Sequence, residues 1–420
     1  MQRLKKFLSK RYSRLGRELS APEATPTNPP TSASTDTGQS CRGSIDLSRI
    51  ERLPFEIRNE ILLAVNSIAD IFSLVHASPT FHQQYRLDRA FWLWHCLKQE
   101  IGNILIDAYT VDTYNTPEFS SIRTRQKVLL YIEDYKQQRS EGTESLPQPP
   151  EEDVIRIATF HTSIIRTLME QYAAWARANL QGLSEPMELS RTEERRILRG
   201  LYRFQIFCGL FGPPRGCGYY FTQDNINSER RLQLLLDLYE PWEIEEILCT
   251  NAFVHAKYRP LIKQVEWNLN PDNPSFDDER TGPHTPPGAF HLANSTSEIV
   301  SVQDDMISET TRPYHQDTRR DNQYSDRDRA QDNRERMRFK GESYDSPPFA
   351  WVVFWRELYS NLYGDYIPAS FRPWGYVMWD KERLVDTDAV AIIDREWKAM
   401  CSRVVDGGEL GDPRDEWTAN

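Results

Sequence analysis

Leu53-Pro-Phe-Glu-Ile-Arg-Asn-Glu-Ile-Leu-Leu-Ala-Val65 is the stretch on which the fold of this 420-residue chain turns. Proline at its start fits the first turn of a helix, where its missing N–H costs nothing. Ile57, Ile61, Leu62 and Val65 then recur at helical spacing, with Glu56, Arg58, Asn59 and Glu60 between them. Asn66 breaks the run. Ser67-Ile-Ala-Asp70 follows as a capping-box-like start for a second helix presenting Ile68, Ile71, Phe72, Leu74 and Val75. Ser78-Pro79 ends it, because a residue before proline avoids the helical region. A third helix is predicted from Thr80 to about Gln99, carrying Phe81, Tyr85, Leu87, Phe91, Trp92, Trp94 and Leu97. So small a unit is marginal alone, and its first two helices hold spare apolar side chains for a partner or a neighbouring domain.

Outward from this module the composition changes. Residues 1–43 join a basic segment (Arg3, Lys5, Lys6, Lys10, Arg11, Arg14, Arg17) to a Pro/Thr/Ser-rich linker, a composition that predicts a tail without fixed structure. Residues 1–19 also space Leu4, Phe7, Leu8, Tyr12, Leu15 and Leu19 at helical intervals. A solvated tail is the preferred reading, beside a mitochondrial presequence and a membrane-surface or nuclear-import segment. The module spans 44–99 and a helical domain 100–270, with a Pro-rich interruption over 141–150. Residues 271–347 lose hydrophobic periodicity and read as a disordered insertion, with a transient charged helix at Arg334–Arg338. Dense aromatics over 348–400 complete the helical domain, and 401–420 form a tail. The expected fold is mostly α.

The order LPxEIxxxIL, a short second helix ending in Ala77-Ser-Pro79, then Phe81-His-Gln-Gln-Tyr85 resembles an F-box, in the form common in uncharacterised fungal proteins. Leu201–Gly212, Pro241–Ile247 and Trp374–Asp380 are similar to segments of the same proteins. The resemblance implies docking on the Skp-type adaptor of a cullin-RING (SCF) ubiquitin ligase, with the rest of the chain recruiting a protein substrate. Carried over by motif, the adaptor contacts are Leu53, Pro54, Ile57, Ile61, Leu62, Leu74, Ala77 and Ser78. His82-Gln83-Gln84-Tyr85 departs from the aromatic-and-basic pattern of the animal motif. A helical binding protein with a vestigial F-box outside any ligase is the alternative.

Other signals are weaker. A net charge of -11 argues against a general nucleic-acid binder. No apolar run reaches the ~18 residues of a membrane span, so cytoplasm or nucleus is expected, with mitochondria the minority option. Cys41, Cys96, Cys208, Cys217, Cys249 and Cys401 form no CxxC pair, and the histidines no HExxH, so no metal or cofactor is expected. Gly209, Gly212, Gly216 and Gly218 around Pro213-Pro214 fit no phosphate loop and read as a turn. Glu240, Glu243, Glu245 and Glu246 after Pro241 read as acids complementing a helix dipole. Trp374, Tyr376, Trp379 and Arg383 suit the walls of a substrate-peptide pocket, although a core of packed rings explains them better. No catalytic constellation is visible, and an enzyme is the least favoured class.

Overall fold

The computed structural model describes residues 48–114, 116, 119, 124–180, 188–211, 226–269 and 325–403, without the side chains of 228, 262, 264–269 and 401–403. The tail over 1–43, most of the insertion (271–324) and residues 404–420 lie outside them. The chain is mostly α-helical, as the periodicity implied, and no β-strand occurs among the described residues. It divides into two compact units, one drawn from residues up to Leu105 and Leu146–Ile164, the other from Ile106–Ser145 and Ile165 onward.

In the first unit α1 (Phe55–Leu63), α2 (Ile68–Ala77), α3 (Pro79–Leu87) and α4 (Arg89–Ile101) follow one another, and α7 (Glu151–Phe160) returns to pack on α4. Each start has a local cause. Ser67 Oγ accepts from Asp70 N at 3.1 Å to cap α2, and Ser78 Oγ accepts from Phe81 N at 3.3 Å to cap α3. The single third helix expected from Thr80 to Gln99 is two helices. Asp88 leaves helical geometry at φ -148° and ψ 61°, and its carboxylate accepts from Phe91 N at 3.2 Å. A short acidic side chain that caps so well competes with helix continuation. The core is made of Leu62, Ile68, Ile71, Phe81, Leu93 and Leu97, joined by Val154 and Ile157 of α7, which the sequence had assigned to the next domain. Glu100 ties α4 to two other segments. One carboxylate oxygen accepts from Ile68 N at 3.0 Å and the other lies 3.3 Å from Nε2 of the buried His161.

The second unit is built on a pair of long helices, α9 (Arg191–Phe211) and α11 (Pro241–Leu269), with the short α10 (Ser228–Leu234) between them in sequence and α8 (Arg166–Asn179) flanking them. Gly200 lets them close: a Cβ there would meet Thr250 Oγ1 at 2.8 Å and the Glu246 carbonyl oxygen at 3.0 Å. From the other side come α5 (Ile104–Tyr114) and α6 (Arg125–Glu141). Tyr114 on α5 donates to the Gln205 carbonyl at 2.7 Å, and Tyr135 on α6 reaches Tyr239 at 3.0 Å. The aromatic-rich end folds as α13 (Phe349–Phe354), a 3-10 turn over Ala369–Trp374, α14 (Lys381–Asp386) and α15 (Ala389–Arg403). Trp351, Trp355, Phe354, Phe371 and Trp397 interlock there edge to face, as the crowding of large side chains required.

Part of the stretch expected to be disordered is ordered. Residues 325–347 form α12 (Asp326–Asp332), closed by a Ser325–Asp328 capping box. An extended segment follows, paired through the Arg336–Leu358 bridge, so the transient helix expected at Arg334–Arg338 is absent. Polar side chains hold it in place. Asp328 accepts from Asn361 Nδ2 at 2.6 Å, Gln331 accepts from Asn361 N at 2.7 Å, and Arg327 pairs with Glu240 at 2.9 Å. Hydrophobic periodicity carries no trace of such anchoring.

Candidate docking face and buried ionic core

Of the residues singled out on α1, Pro54, Ile57 and Ile61 lie at i, i+3 and i+7, one stripe of the helix. Pro54 is exposed, Ile57 is 48% exposed and Ile61 is half-buried, with Leu53 half-buried just before them. Leu62 stands 100° further round and is fully buried. It therefore belongs to the core, not to the outward stripe. On α2, Leu74 is half-buried at the edge of the core and Ala77 is exposed. Ser78 is buried and committed: it caps α3 and its hydroxyl donates to Glu51 at 2.5 Å. That bond holds the Glu51 carboxyl below its usual range. Leu62 and Ser78 thus drop out of the face, whereas Leu53, Pro54, Ile57, Ile61, Leu74 and Ala77 keep surface to offer. The motif reading passed over Phe55, 46% exposed in the first turn on another side of α1. Its position beside the proline was the available signal.

The four residues considered as pocket walls are interior. Trp374, Tyr376 and Trp379 are buried, and Trp379 Nε1 donates to the Trp374 carbonyl at 2.6 Å. Arg383 is buried, with Nε and Nη2 each donating to Glu193 at 2.7 Å. Its guanidinium carbon sits 5.4 Å from the Trp379 ring centroid. Rings in an aromatic core and a guanidinium already clamped by a carboxylate leave no open wall for a peptide.

The acids at the start of α11 do more than complement the helix dipole. Glu243 accepts from Glu240 N at 2.9 Å in the first turn, and Glu243, Glu245 and Glu246 are buried and paired. Arg199 Nε and Nη2 grip Glu246 at 2.7 and 2.6 Å, and Arg199 Nη1 meets Glu243 at 3.0 Å. Arg203 joins Glu243 at 2.9 Å and Asp107 at 3.2 Å, while Tyr135 donates to Asp107 at 2.6 Å. Glu245 turns the other way to accept from Gly364 N at 2.8 Å and Arg372 Nε at 3.1 Å. Burial opposes every charge here, so the partners decide. Arg203, Arg199 and Arg139 overcome that burial at Glu243 and hold its carboxyl down at about 2. At Tyr239 burial wins and pushes the phenol up to about 12. The sequence signal for this core was the i, i+3, i+7 placement of Arg196, Arg199 and Arg203 between apolar residues of α9.

The thiols of Cys96, Cys208 and Cys249 are free, and burial pushes those of Cys96 and Cys208 up to about 12, far from the nucleophilic thiolate range. Among the described residues no group of three or more His, Cys, Asp or Glu side chains could hold a metal ion, and no helix is long and apolar enough to cross a membrane. In comparisons with known proteins, no family model, no curated protein and no solved structure matches this chain.

Proposed function

We propose that the chain is the substrate-receptor subunit of an SCF-type ubiquitin ligase. The stripe of Pro54, Ile57 and Ile61, with Leu53, Leu74 and Ala77, would dock on a Skp-type adaptor bound to a cullin, and the second unit would hold a protein substrate. One observation carries the reading: Ile57 keeps 48% of its surface in solvent on the face that the motif assigns to the adaptor. Burying four such aliphatic side chains is worth about 1.5–3 kcal/mol each if they start exposed. Association removes roughly 4–15 kcal/mol, so half-buried Leu53, Ile61 and Leu74 give a modest surplus at best and Ile57 is the anchor. On this reading the chain accelerates ubiquitin transfer by proximity alone. Co-purification of the full chain with a Skp-type adaptor tests it, wild type beside Leu53→Ala/Pro54→Ala. A stoichiometric complex weakened in the variant supports the reading. A folded wild-type chain that recovers no adaptor refutes it and leaves a binding protein with a vestigial F-box.

A further inference from the structure

Helix α11 changes character along its length. Its first half is buried, but every described side chain from Ala256 to Lys263 is exposed, on all sides of the helix. Pro260 sits inside this half and leaves the Ala256 carbonyl without its helical donor, which water can replace only on an exposed helix. Val254, Tyr258 and Leu261 recur at i, i+4 and i+7, the spacing of helix-in-groove anchors. Tyr258 is 41% and Leu261 52% exposed. His255, Arg259 and Lys263 form the adjacent stripe at i, i+4 and i+8, and Lys257 flanks the anchors with its ammonium 5.5 Å from the Phe253 ring centroid. No Asp or Glu occurs from 247 to 265, in a chain whose net charge is -11. The result is a basic, apolar-striped half-helix presented to solvent.

We propose that this half-helix is the docking site of the chain's own acidic segment, residues 404–420. That segment sets Asp406, Glu409, Asp412, Asp415 and Glu416 against Arg414 alone, and it carries Leu410 and Trp417 as apolar anchors. Both the charge and the apolar character of the helix are thus matched within 17 residues. Reach is sufficient. The segment follows α15, whose Glu396 accepts from Ser370 at 3.0 Å, and Arg372 in the same turn is bonded to Glu245 at the foot of α11. From Glu245 to Tyr258 the helix rises about 20 Å. Seventeen residues can span up to roughly 55–60 Å. Exposed ion pairs are individually weak and screened by salt, so the contact is reversible and the tail would cover or release Tyr258 and Leu261. The inference concerns the second unit alone and stands or falls apart from the adaptor reading.

Zero-length carbodiimide cross-linking of an equal mixture of light and 15N-labelled full chains, read by mass spectrometry, tests it. The expected products join Lys257 or Lys263 to Glu409, Asp412, Asp415 or Glu416 within one isotopic form, and their yield falls several-fold in Arg259→Glu and at high salt. Amides from these lysines only to other carboxylates, or none at all, would overturn the proposal. Links found only between isotopic forms would overturn it too, since the occupant would then be a second copy.

Discussion

Arg199 and Glu246 meet through two parallel hydrogen bonds, Nε to Oε2 at 2.7 Å and Nη2 to Oε1 at 2.6 Å, where neither side chain reaches solvent. The pair joins α9 to α11 at the level of Gly200, and Arg199 extends to Glu243 and to the Tyr344 carbonyl at 2.9 Å. One guanidinium therefore fastens the two central helices and the ordered stretch after α12. Replacing it with methionine keeps volume but strands two buried carboxylates. Arg199→Met should cost about 3–5 kcal/mol in urea unfolding, and Arg199→Met/Glu246→Leu should recover part of that loss. Additive costs in the double variant would mean the two residues are not coupled.

Glu243 ties stability to pH. Its folded pKa is depressed to about 2 against the arginines. A depressed carboxyl contributes stability in full above its unfolded pKa and loses it as pH falls through the folded value. The window therefore runs from about pH 4.5 down to about 2, and the contribution is about 3 kcal/mol. Burial pushes Glu246 upward, which acts in the opposite sense. The difference between wild type and Glu243→Gln isolates the first effect: it should be constant above about pH 5 and shrink toward pH 2. A difference independent of pH would contradict the assignment.

Gly200 tests the helix crossing. A methyl group there presses on Thr250 Oγ1 and on the Glu246 backbone, which cannot swing aside. Gly200→Ala should lower stability by about 1–3 kcal/mol, although alanine favours an isolated helix. An unchanged or raised melting temperature would show that α9 and α11 approach less closely.

Trp379 separates a core role from a recognition role. It is fully buried, with its indole N–H on the Trp374 carbonyl, so Trp379→Ala should cost about 3–5 kcal/mol. The thermal transition of the variant should shift steeply downward or vanish. A variant that melts like wild type yet loses a protein ligand would restore the pocket reading.

Residue patterns that act locally were legible. Proline before Phe55, Ser67 as a cap, Ser78-Pro79 as a stop, and the apolar spacing of α1 and α2 each state their structure within a turn or two of chain. Asp88 was misread because the apolar rhythm continues across it, while its capping geometry breaks the helix. Ile61 and Leu62 looked equivalent as neighbours in one run, yet 100° of rotation sends one to the edge and the other to the core. The ionic core was hidden for a different reason. Arg196, Arg199 and Arg203 at helical spacing resemble a solvated face, and their carboxylates on Glu342, Asp380, Glu243, Glu246 and Asp107 lie far away in sequence. Residues 325–347 show the same limit, since a single Asn361 anchors Asp328 and Gln331 from 30 or more residues away.

The central claim is that α1 offers Ile57 to an adaptor, and equilibrium titration of a Skp-type adaptor into the full chain tests it most directly. Ile57→Glu should leave the melting temperature near wild type, because the side chain is half in water, and should weaken binding at least tenfold. Leu130→Glu, at a still more exposed site on α6, should leave both unchanged. Wild-type chain that is folded but binds no adaptor, or an Ile57→Glu variant that binds as tightly as wild type, would contradict the account.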